Sequence, residues 1–490
     1  MTMAAGTAQA EAAAGGLAAL AAEARRDLAR LNFPAANWVP PRAGPDGRPL
    51  LDVLIVGGGM CGQTAAFALM RDGVRNLRVV DRARRGREGP WGTYARMETL
   101  RSPKHLTGPD LGLPALTFRA WYEAQHGEEG WQRLYKIATA DWLAYLLWVR
   151  DTVELPIENG VEARRVELQD GLVRVELAGP AGTETVFARK LVLAGGRDGS
   201  GAPCAPRFPS LDRTAPAARA RVFHSADPID FARFAGGSVG VLGTSASAFD
   251  NAAAALEAGA RQVGLFARRP ELPQINKSKW TVFPGFFHAF PHLDDRQRWE
   301  IYAYILEEGV PPPHESVLRC DRHAGFALHL AEPWLDVAPA ADAVVVATPK
   351  ARYRFDAVVL ATGFSVDLPQ RPELGALVER IALWADRVPP GEVARHPGPA
   401  RFPYLGPGFE FVERVPGTAP GLANVHCFNA GATMSHAAVA GDIPGLAYGA
   451  ARLSRAVARS LYAAEAERLS ASLAAFDDRE LEPTRYFRPR

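Results

Sequence analysis

The sequence predicts an α/β fold with one nucleotide-type unit inserted into another, on three observations. First, an apolar run, Leu51-Asp52-Val53-Leu54-Ile55-Val56, leads into Gly57-Gly58-Gly59-Met60-Cys61-Gly62 and a helical stretch from Gln63 to Arg71. Second, the order recurs: Ser238-Val239-Gly240-Val241-Leu242, then Gly243-Thr244-Ser245-Ala246-Ser247-Ala248, a helical stretch 249–258 and an apolar run 262–267. Third, each unit is closed by a similar strand, Lys190–Gly196 in the first and Asp356–Gly363 in the second. Short alternating stretches at about 162–188 and 317–347 predict a small antiparallel meander in each unit.

The first turn carries G-x-G-x-x-G on Gly57, Gly59 and Gly62. Between a strand and a helix these glycines suit a pyrophosphate, giving a tight turn, backbone access and close helix–strand packing. The helix N-terminus adds unpaired N–H groups and positive partial charge. The next strand, Leu77–Val80, ends at Asp81, 22 residues beyond Gly59, with Arg82 following. A carboxylate at that distance accepts ribose hydroxyl bonds. The second turn has Ser245 at the middle glycine position, Ala248 at the last and Ser247 between them, and its second strand ends in Arg268-Arg269. Cations there suit a 2′-phosphate, whereas an acid suits a free 2′-hydroxyl. The contrast suggests a flavin dinucleotide (FAD) in the first unit and NADPH in the second. A solvated strand end is the plain alternative for the two arginines.

Composition narrows the function. The 490 residues suffice for about three domain-sized units. Hydrophobic residues at 48% and charged residues at 22% exclude wholesale disorder. Lys plus Arg at 56 against Asp plus Glu at 54 gives a net charge of +2, which supports neither a nucleic-acid surface nor a polybasic membrane anchor. No window of about 18 uncharged apolar residues is present. Cys61, Cys204, Cys320 and Cys427 are isolated, without C-x-x-C or zinc spacing. The expectation is a cytoplasmic protein with no metal, no disulfide framework and no adjacent dithiol. Residues 9–31 read as an amphipathic helix with Leu17, Leu20, Leu28 and Leu31; Glu11, Glu23, Arg25 and Arg26 interrupt any export signal. Pro34, Pro40, Pro41 and Pro45 then mark a linker.

On these residues the chain resembles the two-dinucleotide-binding flavoproteins. Within them it looks like the class B flavin monooxygenases: flavin-containing monooxygenases, Baeyer–Villiger enzymes and ornithine or lysine N-hydroxylases. The resemblance covers about residues 51–465. Gly89-Pro90-Trp91-Gly92-Thr93 is similar to the Gly-Gly-Thr-Trp segment laid along the flavin, which implies a cofactor contact for Trp91. Leu116–Tyr122 and Asp141–Val149 look like the aromatic block and Tyr-Leu-x-Trp helix of the N-hydroxylases, with ordinary core packing as the alternative. The chain also departs from these patterns. Phe223-His224-Ser225 is only an echo of the Baeyer–Villiger signature, and Arg101 stands three residues before Lys104 where flavin-containing monooxygenases place Asn. Met434-Ser435-His436-Ala437-Ala438 is similar to the late Thr/Ser-His-Gly-Leu segment of N-hydroxylases.

The resemblance implies an NADPH- and FAD-dependent monooxygenase. It would transfer one oxygen atom from dioxygen, through a flavin peroxide, to a small-molecule amine, or to a sulfide or ketone. The alternatives are a reductase delivering electrons to a protein or quinone, and a non-catalytic FAD-binding scaffold. Arg101 and Lys104 are candidates for stabilising the reduced flavin's negative charge, and His224 is a candidate in the interdomain linker. Thr362 and Gly363 belong to the Ala-Thr-Gly segment typical of the architecture. Asp442 precedes an apolar helix, either to bond the flavin ribityl chain or as a plain N-cap. The aromatic stretch 276–316 is either a substrate-pocket wall or a lid. The expected organisation is a helical extension and linker at 1–50, an FAD domain at 51–205 and 352–465, an inserted NADPH domain at 206–351 and a C-terminal helix and tail at 466–490. The expected partners are a small molecule and dioxygen, with no nucleic acid or membrane. Monomer and homo-oligomer both stay open.

Overall fold

The computed structural model describes residues 2–106, 108–481 and 483–486, with side chains described from residue 15 onward. The architecture is α/β, with one mixed sheet and one parallel sheet, together with two small antiparallel ones. The first has the strand order Ile157–Asn159, Leu77–Asp81, Leu51–Val56, Gly182–Leu193, Leu172–Gly179, Glu162–Gln169. The long strand Gly182–Leu193 joins two structures. Its first half pairs antiparallel with Leu172–Gly179 in the meander. Its second half runs parallel to Leu51–Val56 on one edge and to the late strand Val425–Cys427 on the other. Leu51–Val56 is buried over Asp52–Ile55, as a central parallel strand must be.

The second sheet is wholly parallel, in the order Phe326–His329, Gln262–Phe266, Ser238–Leu242, Ala357–Leu360, Val222–His224. Ala357–Leu360 lies beside Ser238–Leu242, so the inserted unit extends past residue 351 to take in this closing strand. The expected boundary at 351/352 is corrected on that ground. The second meander is also shorter than expected from 317–347. Residues 314–321 form a helix, Phe326–His329 enters the parallel sheet, and the antiparallel strands are Asp336–Pro339, Val344–Ala347 and Arg352–Phe355.

The N-terminal helix spans Thr2–Arg30. Leu20, Ala24 and Leu28 are buried in the first core, whereas Leu31 is exposed and falls outside the docked face. A Cβ at Gly16 would lie 2.0 Å from the Ala124 carbonyl oxygen, so the helix crosses Phe118–Arg133 backbone to backbone. The aromatic stretch is divided. Trp280 is 70% exposed, while Phe286, Phe287, Phe290, Trp299 and Tyr302 are buried in the first core, against Trp384 and Tyr448. Helix Asp295–Glu308 opens with a capping box between Asp294 and Gln297. The segment, called the lid for its position, leaves the inserted unit and packs on the first one.

A buried ionic network links the chain's two ends. The Arg189 guanidinium donates to Asp52 at 3.3 Å and to Glu465 at 2.6 Å, and Glu465 also receives Arg42 from the N-terminal linker. Burial pushes the Asp52 carboxyl up to about 6 against the pull of Arg189. Arg189→Met leaves both carboxylates without that cation. The expected result is a loss of about 3–5 kcal/mol of unfolding free energy, read from the urea midpoint. A loss under about 1 kcal/mol, the scale of an exposed pair, contradicts this reading.

Candidate cofactor cleft

The two glycine turns have the same backbone geometry. Gly57 has φ +111° and Gly243 has φ +134°. A Cβ on Gly57 would sit 2.6 Å from the Ala194 carbonyl oxygen, and one on Gly243 would sit 2.5 Å from that of Ala361. Gly57 N–H donates to Val80 and Gly243 N–H to Phe266, at 2.8 and 2.9 Å. The helices that follow, Met60–Arg71 and Ala246–Glu257, start from Gly59 (φ −73°, ψ −168°) and Ser245 (φ −94°, ψ −173°). Serine therefore serves at the middle position because the backbone there is extended and needs no glycine.

The third position separates the units. A Cβ at Gly62 would lie 1.8 Å from the Gly57 carbonyl oxygen, whereas Ala248 already carries its methyl 3.4 Å from the Cβ position of Gly243. The middle glycine of the first turn meets the opposite situation. A Cβ at Gly59 would find no atom closer than 3.9 Å. The protein leaves that side open, and the helix N–H groups face it, which fits a pyrophosphate. At the end of the second strand, Asp81 accepts from Gly58 N–H and Ala83 N–H, both at 2.7 Å. Burial pushes its carboxyl above the usual range while these bonds pull it down. Two backbone bonds leave further lone pairs of this carboxylate available.

Several other residues meet at the cleft between the units. Arg82 pairs with Asp198, and Arg197 lies 4.0 Å from Asp442 across the opening. Tyr94 and Phe364 pack ring to ring at 5.7 Å, and Phe364 also meets the edge of His224. Tyr94, Arg197, Asp198 and Phe364 escaped the sequence reading; only Phe364, directly after the Ala-Thr-Gly segment, had a local signal. Asp442 makes no cap bond to the short turn Ile443–Gly445, so the plain N-cap role is not the one it takes. Thr362 Oγ bonds the Cys204 carbonyl. Trp91 meets Trp142 edge to face at 6.5 Å, at the border of the aromatic block. In that block Phe118, Trp121, Trp142 and Tyr145 are buried, and the Tyr145 hydroxyl donates to Leu116 O, so packing is what they do.

His224 is a pin. Its Nδ1 accepts from Ala226 N–H at 3.1 Å, so Nε2 carries the proton and donates to Gly363 O at 3.0 Å. Burial holds its pKa below the ordinary value. Lys104 is held by the Trp131 carbonyl at 2.5 Å and lies over the Trp131 ring, which removes it from the role of a free cation beside the flavin. Arg269 donates to the last carbonyls of the lid helix, Glu307 O and Glu308 O, whereas Arg268 is exposed beside it. Ser247 lies in the first turn of its helix, its carbonyl receiving Asn251. Further from the turns, His436 stacks on Phe409 and donates to Gly406 O while Arg452 donates to its Nδ1. Burial and Arg452 push it down to about 3, so it stays neutral.

Two nucleotide turns of this geometry, each after a parallel strand of its own sheet and with one unit inserted in the other, define a two-dinucleotide-binding flavoprotein. Residues 54–300 match the family model described as pyridine nucleotide-disulphide oxidoreductase. The chain is 42% identical over 468 residues to the FAD-dependent urate hydroxylase of Xanthomonas campestris pv. campestris, covering 95% of this chain and 97% of that protein. The chain therefore belongs to the pyridine nucleotide-disulphide oxidoreductase family and is a flavin-dependent oxidoreductase. Among solved structures, the ornithine hydroxylase of Pseudomonas aeruginosa superposes with a TM-score of 0.64 at 15% identity, over 84% of this chain and all of that one. The bacillithiol disulfide reductase of Bacillus cereus superposes at 0.54 and 16% identity, over 84% of this chain and 99% of that one.

The open side of Gly59 and the closed side of Gly62 predict different losses. Gly59→Val should fold with stability within about 0.5 kcal/mol as apoprotein yet lose its FAD. Gly62→Ala should cost the apoprotein about 1–3 kcal/mol through the clash with Gly57. Flavin absorbance and apoprotein denaturation check both. Full flavin occupancy in Gly59→Val contradicts the assignment of the turn.

Proposed function

We propose that this protein is an NADPH- and FAD-dependent monooxygenase that hydroxylates urate or a closely similar planar anion. The observation that carries the substrate is the 42% identity, over nearly the full length of both chains, to a FAD-dependent urate hydroxylase. The resemblance placed an amine first; urate takes that place because the likeness to amine hydroxylases is one of fold, at 15% identity.

When bound, FAD accepts hydride from NADPH and activates dioxygen. The chain's own residues do the rest. The open turn at Gly59 binds the pyrophosphate, and Asp81 holds the ribose. His224 fixes the Gly363 carbonyl, and with it the position of Phe364 and Tyr94 at the cleft. The lid residues Phe286, Phe287 and Phe290 are buried on the first unit and keep water from the region beneath them. Overall, substrate, dioxygen, NADPH and a proton become hydroxylated substrate, NADP+ and water.

The thiols speak against the disulfide-exchange version of the reductase alternative. All four cysteines are free. Burial pushes Cys61, Cys320 and Cys427 each up to about 12, so none is a thiolate at neutral pH. Cys204 is exposed and has no thiol partner for a disulfide.

Two measurements test this function. Urate added to the NADPH-reduced protein in oxygenated buffer should disappear in equal amount with NADPH and dioxygen. NADPH consumption with urate intact and hydrogen peroxide accumulating would overturn the urate assignment. On the nucleotide side, Arg268→Ala should raise the half-saturating NADPH concentration about tenfold or more, with little change for NADH. Arg269→Ala should act less selectively, because its guanidinium is held by the lid helix. Flavin reduction rates against each nucleotide decide this, and equal use of both nucleotides by the wild type would return Arg268 to a solvated strand end.

A further inference from the structure

Among the described residues, the cleft contains a half-buried arginine, Arg101, that the fold leaves without a carboxylate and with donors to spare. The four arginines buried to under a tenth of their surface are all paired: Arg150 with Glu88 at 2.9 Å, Arg189 with Glu465 at 2.6 Å, Arg298 with Asp295 at 2.5 Å and Arg319 with Glu257 at 2.6 Å. Arg96 and Arg452, half-buried without a carboxylate, use both terminal nitrogens on protein acceptors: Ser225 and Asp227 carbonyls for Arg96, His436 and the Phe287 carbonyl for Arg452. Arg101 differs. Its Nη2 donates to Pro311 O at 2.6 Å, and among the described residues its other donors have no hydrogen-bond acceptor and no carboxylate stands within 4.0 Å.

Its position is informative. Asp250 on the helix after the second turn and Asp442 beside the first both act on its charge at longer range, against Arg197. Pro311 belongs to the chain that leaves the lid helix. Arg101 therefore stands where both nucleotide units and the lid meet. Burial lowers its pKa from the ordinary value, and a guanidinium is charged throughout the physiological range. A cation in such a place keeps most of its planar fork open to a ligand. The cofactor phosphates have their own N–H cradles at the two turns.

We propose that Arg101 holds the anionic edge of the substrate and selects a planar anion over neutral or cationic compounds. This rests on the monooxygenase reading. A guanidinium binds two neighbouring acceptors of a deprotonated purine ring in one plane, and it repels an amine that carries a proton.

The test compares wild type, Arg101→Met and Arg101→Lys, each purified with FAD. Urate and its fully N-methylated, uncharged analogue are titrated against the flavin absorbance of each protein. Wild type should bind urate more tightly than the analogue by about 10- to 100-fold. In Arg101→Met that ratio should fall towards one, with flavin content retained, and Arg101→Lys should recover part of it. A ratio near one in wild type, an unchanged ratio in Arg101→Met, or loss of FAD from Arg101→Met overturns the assignment. The monooxygenase reading fails separately, if the wild type yields no hydroxylated product from any compound; the binding ratio still judges Arg101.

Discussion

The nucleotide-binding architecture depends on a contact between two backbones that only glycine allows. In each unit the first residue of the turn presses against the strand that closes the unit, Gly57 on Ala194 and Gly243 on Ala361, with room for hydrogen alone. Both glycines also sit at positive φ, a conformation that L side chains rarely adopt. The closing strands answer with their own bonds, Ala194 N–H to Val56 O and Ala361 N–H to Leu242 O. Turn, helix start and closing strand are thus a single packed object. Its repetition in both units places two helix N-termini at the carboxyl ends of parallel strands in two sheets.

Insertion alone would leave two units joined by linkers. Three features make the cleft a joint product of both. The lid begins in the inserted unit and buries its aromatic side chains in the core of the first. Arg319 on helix His314–Asp321 donates to Arg96 O while pairing with Glu257, so a segment of the first unit is held against the second nucleotide helix. Arg96 in turn bonds the carbonyls of Ser225 and Asp227, just beyond His224. The segment 94–101, which carries Tyr94 and Arg101, is positioned from both sides.

Charge is managed differently in the frame and in the cleft. Buried arginines of the frame sit on carboxylates, because a desolvated ion costs several kcal/mol unless paired. Buried thiols are kept protonated and buried histidines neutral by the same desolvation. In the cleft, Arg101 keeps donors open and the Arg197–Asp442 contact is long and half-exposed. Polar groups left available within a structured cleft mark the region where ligands complete the hydrogen bonding.

The sequence by itself determined the two units, their order and their nested arrangement, because apolar strands, glycine spacing and chain reversal are local signals. The turns at Gly57, Gly59, Gly62 and Gly243 and the strand end at Asp81 were legible for the same reason, since each is marked by residue type and spacing over a short stretch of chain, although the contacts of Gly57 with Ala194 and of Gly243 with Ala361 are long-range. Only the tertiary structure decided what lies across the chain. Ala357–Leu360 reads as the strand that closes the second unit, yet the boundary expected at 351/352 leaves it outside, and its pairing with Ser238–Leu242 is a contact between residues over a hundred positions apart. Lys104 and Arg101 are three residues apart and equally cationic in the sequence. One is taken up by Trp131, the other remains open at the meeting of the lid and both units. His224 reads as a catalytic candidate until both ring nitrogens are seen bonded to backbone. Residue type and spacing set the chemistry that a side chain offers. Whether that chemistry is used up inside the fold depends on partners that only long-range packing brings within reach.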